Sequence, residues 1–246
     1  MEKQVERLDH LGIVAGITKE LEIIDFINER LRDDVRSEIS DGEAIAGMIV
    51  NGLGFTSKSL CLTPEFFNGR PLELLFSEGV KAEHFNRSKL GRVLDNIFAY
   101  GCSNLFFEIA GMVCIKEKID VRFNSLDTTT ISVDGEYADG DERAVHITNG
   151  YSKDHRRDLK QVVQELLVSQ DGGVPLATST HNGNVDDNEI FKQRSHELIN
   201  QFKDAEVPRY LIADSKLYTK ENCDNLKNLQ FITRVPRSNK EENVIV

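Results

Sequence analysis

Two aspartates lie at runs of strand-forming residues, where a carboxylate has the right chemistry to bind a divalent cation. Asp127 lies inside residues 125–133, and Asp214 follows residues 210–213. Aspartate is unfavourable in strands and costly to bury unless it is paired or bound to a cation. Two carboxylates that share metal ions can promote chemistry at a phosphodiester. The alternative is that each aspartate caps a turn or a helix, and for Asp214 this stays open because a short helix is predicted near Thr219.

The overall charge of the chain argues against strong non-specific binding to nucleic acid. The 246 residues carry a formal net charge of −11. Neutralisation of phosphates by Lys and Arg supplies most of the non-specific affinity for DNA, so an acidic chain binds DNA poorly unless its basic groups are concentrated on one face.

Several other functional classes lack their characteristic spacings in this chain. The six histidines show no H-x-x-x-H or H-E-x-x-H spacing, the four cysteines form no C-x-x-C pair, and no G-x-S-x-G sequence occurs. These patterns are typical of zinc sites, redox sites and serine hydrolases. The longest apolar run is shorter than a membrane span needs, and the first residues lack the apolar core of a signal peptide. A cytosolic location is therefore predicted.

Residues 1–120 contain the start and stop signals of several helices. Ser40 and Glu43 have the S-x-x-E spacing of a capping box, and Pro64 is placed where a first helical turn tolerates proline. Asn86 can cap a helix whose apolar residues recur at helical spacing and which ends at Gly101. This half of the chain is predicted to be a small helical bundle.

Residues 121–246 change to β-branched runs separated by turns. Strands are predicted over 128–133, 145–148, 161–169 and 174–177, then a helix near 187–202, a strand over 210–213, a short helix near 219–226 and a last strand over 231–233. The sequence Asp171-Gly172-Gly173 between two apolar runs predicts a β-hairpin. Strands followed by alternating helices and strands predict a mixed sheet of the RNase H-like type.

A series of short phrases occurs in a fixed order along the chain. They are residues 8–16, 51–55 and 62–67, then Asp127-Thr128-Thr129 through Gly135-Glu136-Tyr137, residues 150–161, residues 170–176, Ala213-Asp214-Ser215 with Tyr218-Thr219, and residues 232–236. In this order they resemble bacterial DDE insertion-sequence transposases, in the branch that begins with a helical domain. The resemblance implies an α-helical N-terminal domain over 1–120 and an incomplete RNase H-like α/β domain, the DDE catalytic domain, over 121–246.

The resemblance also implies a catalytic site. Asp127 matches the first acidic residue of the DDE set and Asp214 the second, and both would bind Mg²⁺ or Mn²⁺ for DNA cleavage and strand transfer. The family's glutamate has no match in residues 1–246, so the chain is expected to be truncated before it and to be catalytically incomplete. The implied partners are DNA (element ends and target) and a second copy or a full-length transposase, in the bacterial cytoplasm and on the nucleoid.

Two other functions remain open. The chain can be a regulatory protein that binds DNA or a partner through its helical domain, or an active nuclease that takes its third acid from Glu221 or Glu242. Two departures from the family pattern are Arg157, where proline is usual, and residues 179–181. Glu221 lies only seven residues beyond Asp214, which is too close for the family's topology.

The densest basic segment is residues 153–160. Its cationic candidates for contact with DNA phosphates are Lys153, His155, Arg156, Arg157 and Lys160. Asp154 and Asp158 interrupt the segment and no aromatic residue lies within it, so an exposed, solvated turn is an equal alternative.

Overall fold

The computed structural model describes residues 6–31, 37–137, 144–151, 156, 158–186, 189–190, 192–194, 197, 209–213 and 230–234. The chain divides into two compact units, residues 1–109 and residues 110–246. Several residues that the sequence singles out lie outside the described residues: Asp214, Lys153, His155, Arg157 and the helix expected near 219–226.

The first unit is helical, as the sequence predicts. Its helices, the last of which continues into the second unit, are α1 (Leu11–Glu20), α2 (Ile23–Arg30), α3 (Asp41–Gly52), α4 (Thr63–Phe67), α5 (Leu72–Leu75), α6 (Arg87–Tyr100) and α7 (Cys102–Glu117), with 3₁₀ turns at Leu60–Leu62 and Ala82–Phe85. The Ser40 hydroxyl accepts from the Glu43 N–H, and the Glu43 carboxylate accepts from the Ser40 N–H, so the predicted capping box is confirmed. The Asn86 cap of α6 and its end at Gly101, where φ is +105°, are confirmed as well.

Aromatic side chains fill the core of the helical unit. Phe67 and Phe85 are buried with their ring centroids 4.5 Å apart, and Phe76 packs against both. A Cβ atom at Gly47 of α3 would lie 2.3 Å from the Phe85 ring. The glycine is therefore what lets α3 approach the aromatic cluster so closely.

A buried ion pair joins α3 to α6 in the same unit. Lys89 Nζ donates to Asp41 Oδ1 over 2.6 Å, and the two side chains are 6% and 3% exposed. Asn96 Nδ2 donates to the other oxygen of Asp41 over 2.7 Å. Each charge depends on its partner, since an isolated charge is costly in a protein interior.

The second unit contains a five-stranded sheet. Its strands are β1 (Phe123–Val133), β2 (Lys160–Ser169), β3 (Pro175–His181), β4 (Tyr210–Ala213) and β5 (Gln230–Thr233), in the spatial order β3-β2-β1-β4-β5. The pairs β1–β2 and β2–β3 are antiparallel, while β1–β4 and β4–β5 are parallel. This mixed sheet, with β1 at its centre, confirms the predicted RNase H-like architecture.

The predicted hairpin is confirmed, whereas one predicted strand is wrong. Gly172 and Gly173, between β2 and β3, have φ of +71° and +64°, as a tight hairpin turn requires. Residues 145–148 form no strand, and only Thr148 makes an isolated bridge, to Gln161. Residues 145–148 would have to pair with the same edge of β2 as β3 does, and β3 already occupies that edge from Val163 onward.

The two faces of the sheet have different environments. Along β1, Leu126 and Thr128 are buried on one face, while Asp127 and Thr129 are exposed on the other. Residues 189–190, 192–194 and 197 are helical; we call them the crossover helix because they lie between β3 and β4 in the chain. The Arg194 side chain of this helix contacts Glu165 on the buried face.

No single described helix is long and apolar enough to cross a bilayer. Only α6 and α7 taken together reach the required length and composition, and these two helices are bent by 86° at the break between them.

Candidate functional site

Asp127 lies in the middle of the central strand, with its side chain on the exposed face. Its Oδ1 accepts a hydrogen bond from the Thr128 N–H over 2.8 Å. Of the described residues, no Lys, Arg or His forms an ion pair with it. A carboxylate in this setting keeps lone pairs available, as a ligand for a hard cation must.

The strand that precedes Asp214 lies beside the strand of Asp127. The strands β1 and β4 are parallel, and Leu126 is paired with Ala213. The residue after each partner of this pair is an aspartate. Asp214 itself lies outside the described residues, so the meeting of the two carboxylates stays a prediction.

The described neighbours of Asp127 on the same face are a leucine and, further along the sheet, a group of polar side chains. Next to it across the strand pair is Leu166, which is 39% exposed. Further along the face, Gln164 donates to Thr178 and accepts from Thr180 over 2.8 Å. No group of three or more His, Cys, Asp or Glu side chains that could hold a metal occurs in the part of the chain that the structure describes.

The two described members of the basic segment make contacts within the protein. Arg156 donates twice to Asp158, from Nε over 2.9 Å and from a terminal nitrogen over 2.7 Å. This hydrogen bonding lowers the pKa of Asp158 below its ordinary value. Lys160 Nζ donates to the Tyr137 carbonyl over 3.0 Å and also to that of Glu136. Phosphate binding by either side chain would have to compete with these contacts.

A buried charged cluster lies on the opposite face of the sheet from Asp127. Glu165 of β2, 2% exposed, binds His181 Nε2 over 2.9 Å and Arg194 of the crossover helix through Nε and a terminal nitrogen, the latter over 3.3 Å. Arg194 also donates to Ser179 over 2.9 Å and to Glu197 over 2.6 Å. We call Glu165, Arg194, His181 and Ser179 the buried network.

Sequence reasoning missed the buried network, although one signal was available. Side chains along β2 alternate between the two faces of the sheet, so Glu165 lies on the same face as Val163 and Leu167, both of which are core residues. A glutamate at a core position must have a partner, because burying an unpaired charge is costly. The partner Arg194 could not be found this way, since it comes from a different element.

The pKa of Glu165 follows from this environment. Burial of the carboxyl group raises its pKa, but the hydrogen bonds from His181 and Arg194 and the charge of the guanidinium outweigh burial. The net result is a pKa below the ordinary value of 4.5.

This lowered pKa predicts a loss of stability in acid. A carboxyl whose pKa is lower in the folded chain stabilises the fold above its ordinary pKa, and this contribution disappears as the pH falls through the folded-state value. We expect the free energy of unfolding to decrease below a pH of about 4.5, and Glu165→Gln to flatten this part of the profile. Urea denaturation at several pH values measures the free energy of unfolding. If it falls equally steeply with decreasing pH in the unaltered chain and in Glu165→Gln, the prediction is contradicted.

The fold and the position of Asp127 define an RNase H-like protein with a helical N-terminal unit, and comparison with protein families agrees. Residues 3–111 match a domain of unknown function, DUF4277. Residues 122–244, half of the chain, match the transposase DDE domain. The chain belongs to the DDE transposase family.

Solved transposase structures are similar to this chain at low sequence identity. The piggyBac transposase synaptic complex with hairpin DNA is 14% identical with a TM-score of 0.45, over 93% of this chain and 52% of that chain. The Mos1 transposase paired-end complex with left transposon end is 12% identical with a TM-score of 0.31, over 87% of this chain and 63% of that chain. The chain thus spans about half the length of the piggyBac chain. A comparison with curated proteins gave no match.

Proposed function

We propose that this chain provides two metal-binding carboxylates, Asp127 and Asp214, of a transposase that cleaves and joins DNA. The observation that carries the proposal is the pairing of Leu126 with Ala213. If β4 continues by one residue in the same register, Asp214 comes beside Asp127 and on the same face, because side chains alternate along both strands. Membership of the DDE family supports the same assignment.

The donor set fits Mg²⁺ or Mn²⁺. Hard divalent cations prefer carboxylate oxygens, and the exposed Asp127 carboxylate is not paired with any described cationic side chain. When bound, two such cations activate the attacking oxygen and stabilise the leaving oxygen of a phosphodiester. The role of Asp127 is to hold a fixed position at the centre of a rigid sheet, so that the reacting groups meet in line.

DNA is the proposed substrate, as element ends and as target. The net charge of −11 opposes general DNA affinity, so binding must come from local groups. Lys153, His155, Arg156, Arg157 and Lys160 are the proposed phosphate contacts. We also propose that residues 1–120 and 121–246 are the functional domains, and that a second copy or a full-length transposase completes the assembly.

A regulatory protein that binds DNA or a partner is the second candidate. It is favoured by the helical unit, residues 1–109, which is compact, has its own hydrophobic core and nearly coincides with a separate domain match. Such a unit can bind a partner or DNA without cleaving it.

The proposed function predicts how residues 1–246 behave on DNA by themselves. With two of the three carboxylates, the second metal is poorly placed, so strand cleavage should be lost more completely than DNA binding. We expect no Mg²⁺- or Mn²⁺-dependent nicking of supercoiled plasmid, while a gel-shift assay at low salt still detects binding. Nicking by this chain that disappears in Asp127→Ala would instead show that an acid such as Glu221 or Glu242 completes the site.

A further inference from the structure

The buried network contains the most deeply buried carboxylate of the described sheet, and the proposed chemistry does not use it. Glu165 is 2% exposed, and Arg194 shields it from the solvent with a side chain that is itself only 11% exposed. The guanidinium contacts both oxygens of the carboxylate and the hydroxyl of Ser179. Three contacts from one planar group fix its orientation as well as its distance.

These contacts tie the crossover helix to two strands at once. Glu165 belongs to β2, and Ser179 and His181 belong to β3, where Ser179 is the direct cross-strand partner of Glu165. Ile190, four residues before Arg194, is 1% exposed on the same helix. The helix therefore buries an apolar side chain and an ion pair one turn apart.

The position of the crossover helix determines which face of the sheet stays open. Glu165 is paired with Thr128 of β1, whose side chain is buried, so the network lies on the face opposite to Asp127. The chain must pass from β3, at one edge, to β4, on the far side of β1. A helix on the wrong face would cover Asp127, and a helix shifted along the sheet would change where β4 begins.

We propose that Glu165 and Arg194 are positioning residues for the metal site, which they serve by holding the crossover helix on the face opposite to Asp127 and thereby fixing β4 beside β1. The inference rests on the proposed function of Asp127 and Asp214. Neither residue of the pair touches the reacting atoms. The crossover helix comes directly before β4 in the order of described elements, and the last residue of β4 precedes Asp214.

An ion pair suits this role better than apolar packing does. Apolar contacts are non-directional, so a helix held by Ile190 alone could rotate or slide by part of a turn with little loss. A buried ion pair is strongly destabilised when its partners separate, and this makes alternative positions unfavourable. Among the described residues, the other charged or titratable groups that face the pair are His181 from β3 and Glu197 from the crossover helix.

Three variants separate positioning from simple stabilisation. Arg194→Met removes the pair and leaves a buried carboxylate. The double variant Glu165→Met/Arg194→Met replaces the pair with apolar side chains, which often restores stability. Gln193→Ala, at the exposed neighbour of Arg194, is the matched control. Each is made in the full 246-residue chain, and urea denaturation first establishes the fraction folded.

The decisive measurements are Mn²⁺ affinity and hydrogen exchange. We expect Mn²⁺ to bind at least about tenfold more weakly to Arg194→Met and to the double variant, because a displaced β4 moves Asp214 away from Asp127 and small misplacements in a site have effects of at least this size. In the metal-free chain, the amides of Leu211 and Ile212 in β4 should exchange about tenfold faster in both variants, while that of Ile131 in β1 changes little. Gln193→Ala should match the unaltered chain in both measurements.

A purely structural role gives a different result. In that case the double variant, once its stability is restored, regains the Mn²⁺ affinity and the slow β4 exchange of the unaltered chain, and the inference is overturned. The positioning role of Glu165 and Arg194 and the metal-binding role of Asp127 can be tested separately. If Asp127→Ala leaves Mn²⁺ binding unchanged, the proposed function fails, and the exchange of β4 in the metal-free chain still decides whether Glu165 and Arg194 fix that strand.

Discussion

Replacement of Asp127 by alanine should weaken Mn²⁺ binding to the 246-residue chain by about 100-fold or more, because loss of a direct ligand exceeds the 10- to 100-fold effect of losing an outer contact. Asp127 is exposed at the centre of the sheet, so the substitution leaves no cavity and should not unfold the protein. Asp214→Ala should have a similar effect. Isothermal titration with Mn²⁺, or the decrease of the free Mn²⁺ electron paramagnetic resonance signal, measures the affinity.

The matched control for this prediction is Asp134→Ala. Asp134 is an exposed aspartate directly after the last residue of β1, so it tests whether any carboxylate along this strand contributes. We expect the Mn²⁺ affinity of Asp134→Ala to equal that of the unaltered chain. Equal losses in Asp134→Ala and Asp127→Ala would mean that Mn²⁺ binds by general attraction to an acidic protein.

The largest effect on stability is expected at Lys89. Lys89→Met leaves the Asp41 carboxylate buried with Asn96 as its remaining hydrogen-bond partner among those described above. Breaking a buried ion pair by removing one partner costs about 3–5 kcal/mol. Urea denaturation followed by far-ultraviolet circular dichroism, which reports mainly the helical unit, should show this loss.

Two further variants test the physical reason for the loss at Lys89. Arg92→Met changes an exposed cationic residue of the same helix and should alter stability by less than about 0.5 kcal/mol. The double variant Asp41→Asn/Lys89→Met removes both charges and should be more stable than Lys89→Met. If Lys89→Met proves as mild as Arg92→Met, the ion pair contributes no more than a surface contact.

Local sequence signals predicted much of the fold because their physical causes are local. The Ser40 capping box, the Asn86 cap and the hairpin at Gly172 and Gly173 each depend on residues that are close in the chain. The same signals gave the order of the described strands β1 to β5, from which the mixed RNase H-like sheet follows.

The features that could not be predicted depend on contacts between distant residues. Residues 145–148 have the composition of a strand, yet the edge they would need is occupied by β3, and no local pattern reveals such competition. The pairing of Glu165 with Arg194 joins residues 29 positions apart. For the site, the sequence predicted Asp127 and Asp214 on neighbouring strands, and the pairing of β1 with β4 confirms that the two strands are neighbours.

The most direct test of the proposed metal site is a crystal structure of the chain grown with Mn²⁺ and examined by anomalous diffraction. We expect a Mn²⁺ peak in contact with the carboxylates of both Asp127 and Asp214, with any second peak roughly 3.5–4 Å from the first. Carboxylates on opposite faces of the sheet, or Mn²⁺ bound only at other residues, would contradict it.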